Sequence, residues 1–77
     1  MRRCFFTGPW TDQETQAVAE VIDTLGPNAE RNPWYAHKIV QSSILLYVAW
    51  RATWWESSIL TASSVSGLAD QIAAYHS

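Results

Sequence analysis

From Trp34 to about Leu60 the chain carries no glycine or proline, and its apolar residues point in almost every direction of a helical projection. Asn32-Pro33 opens this stretch with a strong helix cap and a proline at the first helical position, where no intrahelical hydrogen bond is lost. The pattern predicts a long helix 2 over about 33–60. On a 100° wheel Val40, Ile44, Val48, Trp55 and Ile59 share one side, and Ile39, Leu46, Tyr47, Trp50 and Trp54 lie nearly opposite. Only a narrow strip through Lys38, Ser42, Ala49 and Glu56 is polar or small. A helix apolar all round must be buried by its surroundings, and a chain of 77 residues has little else to bury it with.

Size sharpens that problem, because a domain this short buries only about 60% of its unfolded surface. Cys4 is the single cysteine, so no intrachain disulfide can make up the deficit. One cysteine and two histidines also fall short of a four-ligand structural zinc site. Aromatic packing and association with a partner remain as sources of stability.

Two shorter helices flank the long one. Thr11 with Glu14 three residues on forms a capping box, and Asp12 and Glu14 suit the positive end of a helix dipole. Val18, Val21, Ile22 and Leu25 then repeat on one face, opposite Asp12, Gln16, Ala19 and Asp23, until Gly26-Pro27 stops the helix. This predicts helix 1 over about 11–25. Near the other end, Ser63 to Gly67 marks a break. Leu68, Ile72 and Tyr75 mark a short helix 3 over about 66–75, unless one helix runs from Pro33 onward. The expected fold is all-α: one domain over 1–77, a three-helix bundle or a helical hairpin with a short third helix, completed by self-association or a partner.

Chemistry-bearing motifs are scarce. His37 and His76 have no second ligand at metal-binding spacing, and no Gly-x-Ser-x-Gly elbow or glycine-rich phosphate loop is present. Asp12, Glu14, Glu20, Asp23 and Glu30 read as a solvated face and a capped helix terminus. Cys4, beside Phe5 and Phe6, reads as a structural thiol. The expectation is a protein that is not an enzyme and that uses no cofactor, metal or small-molecule substrate. A formal charge of −2 lacks the basic excess of a nucleic-acid or anionic-membrane binder. The start of the chain has only a three-residue apolar run before Gly8-Pro9, too short for a signal peptide. No run of some 18 apolar residues follows, so a cytoplasmic protein without membrane contact is expected.

The five tryptophans carry the most information. Trp10 precedes the Thr11 cap, whereas Trp34, Trp50, Trp54 and Trp55 crowd helix 2. Trp54 and Trp55 point about 100° apart, so one neighbour cannot cover both. Trp, Tyr and Arg dominate interface energies, which makes Tyr47, Trp50, Arg51, Trp54 and Trp55 the candidate interface. The function read from these residues is a non-catalytic protein–protein interaction module, an accessory subunit or small inhibitor of a larger complex, binding a protein partner or its own copies.

Two family resemblances qualify this reading. Gly8-Pro9-Trp10-Thr11, an acidic helix and Gly26-Pro27 are together similar to the first helix of a Myb/SANT repeat. That resemblance covers about twenty residues and implies, as the alternative function, a nucleic-acid-binding domain. It departs where such repeats carry a turn and a basic recognition helix, since Pro33 to Leu60 offers only Lys38 and Arg51. Ala36-His37-Lys38-Ile39, Ser42-Ser43-Ile44-Leu45 and Trp54-Trp55 are similar to the pigment-binding helix of purple-bacterial antenna chains, but the apolar stretch is too short and Arg51 too central for that role.

Overall fold

The apolar stretch after Pro33 is folded as strands. The computed structural model describes residues 4–25, 33–52 and 57–75, and its elements run β1 (Cys4–Thr7), α1 (Asp12–Asp23), β2 (Trp34–Gln41), β3 (Ile44–Ala52), β4 (Ser57–Ala62) and α2 (Val65–Tyr75). One four-stranded sheet has the order β1-β2-β3-β4. β1 is parallel to β2, and the pairs β2-β3 and β3-β4 are antiparallel. This corrects the all-α expectation: the fold is α/β, the helical bundle is absent, and β2, β3 and β4 occupy the span assigned to helix 2. The three-helix arrangement implied by the Myb/SANT resemblance is absent with it.

The physical reason lies in the residue types. Trp34, Tyr35, Ile39, Val40, Ile44, Tyr47 and Val48 are aromatic or β-branched, residues that suit a pleated surface better than a helix. Ser42 and Ser43 form the two-residue turn between β2 and β3. Ser42 takes a φ of 55°, left-handed at the first central position, where such hairpins ordinarily place glycine. A turn without Gly, Asn or Asp hides the hairpin from a sequence reading.

The two described helices lie on one face of the sheet. α1 starts at the expected capping box: the Glu14 amide donates to Thr11 Oγ1 at 3.2 Å and the Thr11 amide donates to Glu14 Oε1 at 3.0 Å. Val18 and Ile22 of its apolar stripe are fully buried, with Val21 and Leu25 packed beside them. α2 begins after Ser64, whose hydroxyl accepts from the Gly67 amide at 3.1 Å, and buries Leu68, Ala69 and Ile72. Gln71 Nε2 donates to the Thr61 carbonyl at 2.7 Å, tying α2 to β4. From the sheet, Cys4, Trp34, Ala36, Tyr47 and Ala49 complete the core.

Directly after β1, the backbone at Gly8 passes close to Lys38 of β2. Its φ is +96°, and a Cβ there would overlap the Lys38 carbonyl oxygen, so both conformation and contact require glycine. The chain then turns through Trp10, whose indole Nε1 donates to the Thr7 carbonyl at 2.8 Å. The Trp10 ring packs edge-on against Phe6 and tilted against Tyr47. No helix among the described residues is long and apolar enough to cross a membrane.

Candidate interaction face

Strand alternation gives the sheet two faces, and strand register fixes what stands on each. The helix-side face holds Cys4, Trp34, Ala36, Tyr47, Ala49 and Arg51, all buried. Neither described helix lies on the opposite face. Phe5 pairs with Tyr35, Tyr35 with Trp50, and Trp50 with Ile59, so four large apolar side chains form one row across all four strands. The first three rings are nearly parallel: Phe5 and Tyr35 lie 5.4 Å apart at 18°, Tyr35 and Trp50 5.8 Å apart at 15°. Ring pairs of this kind stabilise neighbouring strands by about 0.2–1 kcal/mol each. They still leave Phe5 and Tyr35 40% exposed, Trp50 36% and Ile59 72%.

The next row is smaller: Thr7, His37, Val48 and Thr61. Thr7 Oγ1 and His37 Nδ1 share a hydrogen bond of 2.6 Å within it. Ile39 pairs with Leu46 beyond, and the exposed Ile44 closes the face at the hairpin turn. None of the described residues of this face is Asp, Glu, Lys or Arg.

Charge is instead concentrated under α1. Glu14 Oε1 accepts from Lys38 Nζ at 2.6 Å and Glu14 Oε2 accepts from the Tyr47 hydroxyl, while Oε1 also accepts from the Thr11 amide. One carboxylate therefore completes the helix cap and fastens α1 to β2 and β3. The Lys38 and Tyr47 hydrogen bonds hold the Glu14 carboxyl down at about 2. The same Glu14 contact raises Lys38, and burial followed by that hydrogen bond raises Tyr47. The members of the cluster bind one another, and the cluster serves as a clamp. Burial pushes the Cys4 thiol up to about 12, which leaves it protonated at neutral pH.

The structure divides the candidate interface set. Trp50 stands on the open face. Tyr47 lies on the helix side, 3% exposed and bound to Glu14. Arg51 is buried there too, its guanidinium carbon 5.8 Å from the centroid of the Trp34 ring, and the Trp34 ring meets Tyr75 edge-on at 5.4 Å. Trp54 and Trp55 lie outside the described residues.

Sequence reasoning missed Phe5, Tyr35 and Ile59 as members of one surface, because only strand register brings positions 5, 35, 50 and 59 together. It also read Glu14 as a cap and part of a solvated face without seeing Lys38 and Tyr47 as its partners. No period-two signal marked β2, since the odd-numbered set Tyr35, His37, Ile39 and Gln41 and the even-numbered set Trp34, Ala36, Lys38 and Val40 each mix apolar with polar residues. Among the described residues no three His, Cys, Asp or Glu side chains converge on a possible metal position. Compared with known proteins, the chain matches no family model, no curated protein and no solved structure.

Proposed function

We propose that this protein is a non-catalytic association module that docks through the open face of its sheet, serving as an accessory subunit or small inhibitor in a cytoplasmic assembly. The observation that supports this reading is the Phe5–Tyr35–Trp50–Ile59 row. Isolated exposed apolar residues are ordinary on protein surfaces, but a contiguous apolar patch is a mark of an interaction site. Here the patch is flat, backed by hydrogen-bonded strands and free of formal charge, so covering it costs little desolvation of ions.

A photo-crosslinking amino acid placed at position 59 tests this in the living cell, with the same group at Gln13, on the exposed surface of α1, as control. Covalent protein adducts are expected from position 59 and not from position 13. No adduct from position 59, or equal adducts from both positions, refutes the reading.

A further inference from the structure

We propose that the occupant of the open face is a second copy of this chain, packed sheet against sheet about a two-fold axis. The inference rests on the reading that this face is where the protein associates. Three observations select the occupant.

The first is charge. With no Asp, Glu, Lys or Arg at the described positions of the face, a partner presenting charges would bury them unpaired, which is costly. A second copy brings an equally uncharged surface. A single-stranded nucleic acid would find rings to stack on, but such binding also uses a basic groove along the backbone, and the described residues of this face include no Lys or Arg.

The second is shape. A large row lies two residues along the strands from a small one: Phe5, Tyr35, Trp50 and Ile59 beside Thr7, His37, Val48 and Thr61. A two-fold axis running across the strands between these rows places the large row of each copy over the small row of the other. Trp50 then covers Val48 of the second copy, Ile59 covers its Thr61, and the Tyr35 hydroxyl comes over its His37. Isologous contact of this kind needs one surface complementary to itself, and alternating large and small rows provide that. Sheets packed face to face are separated by about 10 Å, which side chains from both sides fill.

The third is area. Four strands spaced about 4.8 Å apart, running from about 13 Å for the four-residue β1 to about 30 Å for the nine-residue β3 and averaging some 20–25 Å, give a face of about 400–500 Å². Two copies bury about 800–1,000 Å² in total, at the low end for a specific interface. The pairing is therefore reversible and concentration-dependent.

Sedimentation equilibrium of the full chain, run from about 1 to 500 µM, reads the outcome directly. The expected result is a rise from the 8.7 kDa chain mass to twice that value. Ile59→Lys and Thr61→Glu are both on exposed positions; each alone should raise the dimer dissociation constant at least tenfold while far-UV circular dichroism stays as in the wild type. Mixing the two variants should restore association, because position 59 of one copy faces position 61 of the other. Wild-type protein that remains a monomer throughout overturns self-pairing. So does a dimer indifferent to both substitutions, or a mixture that fails to re-associate. A monomer that binds a single-stranded oligonucleotide with steep salt dependence overturns it in favour of nucleic acid. Crosslinks from position 59 to a different protein, with the purified chain monomeric, refute the second copy and leave the association reading standing. Absence of any crosslink from that position removes both.

Discussion

Replacing Glu14 with alanine tests whether one carboxylate holds α1 to the sheet. The substitution removes the side-chain arm of the capping box, worth about 0.5–1 kcal/mol. It also removes the acceptor for the Tyr47 hydroxyl, a group only 3% exposed, and leaving a buried hydroxyl unsatisfied costs about 1–3 kcal/mol. Loss of the Lys38 ion pair, whose side chains are 12% and 15% exposed, adds little further because a lysine freed of Glu14 can turn outward to water. Alanine is itself a good helix former, so propensity does not add to the loss. The expected destabilisation is about 2–3 kcal/mol, a sizeable part of the roughly 4–12 kcal/mol available to a domain of this length. Urea denaturation followed by tryptophan fluorescence and circular dichroism measures it. With a slope near 1 kcal/mol/M for so small a domain, the midpoint should fall by about 2–3 M. Tyr47→Phe should cost about 1 kcal/mol, and less than that in the Glu14→Ala background, because the two groups share one hydrogen bond. If Glu14→Ala leaves no folded baseline, Glu14→Gln, which retains an acceptor for the Thr11 amide, supplies the measurement. A midpoint for Glu14→Ala within about 0.5 M of wild type, at unchanged slope, would refute the clamp.

Two further outcomes follow from the same strands. The Glu14 carboxyl sits at about 2 against an ordinary 4.5, so the folded state binds this proton less readily than the unfolded chain. Its contribution is complete above about pH 4.5 and is lost as pH falls toward 2. Denaturation midpoints measured from pH 6 down to 2 should decline in that window, and Glu14→Gln should flatten the decline. Gly8→Ala forces a side chain into a left-handed conformation, at about 1–2 kcal/mol, and drives its Cβ into the Lys38 carbonyl, which belongs to a hydrogen-bonded strand and cannot swing away. A loss of at least about 3 kcal/mol, seen as a large drop in Tm, is expected; a change below about 1 kcal/mol would show that the backbone at Gly8 does not pass so close to Lys38.

Local signals in the sequence were legible wherever one residue type enforces one geometry. Thr11 and Glu14 announce a helix start, and Val18 with Ile22 announce its buried side; the helix lies at Asp12–Asp23. Leu68 and Ile72 do the same for α2. The sheet was not legible, and the cause is the open face itself. An ordinary half-exposed antiparallel strand alternates apolar with polar residues, but Tyr35, Ile39, Ile44, Leu46 and Trp50 are large and apolar on the side away from the helices. With both sides apolar, period two disappears, and the strand run becomes indistinguishable from a helix buried all round. Glycine and proline did not mark the turn either, since Ser42 and Ser43 form it. The excess apolar surface was thus visible in the sequence, but it was assigned to the wrong geometry. A helix would have spread Trp50 and Ile59 around an axis, whereas strands collect them with Phe5 and Tyr35 into one flat row. Concentrating the same residues on one plane is what would turn the partner expected from the sequence into the occupant of a definite surface, because a plane can be covered by a single neighbour and a cylinder cannot.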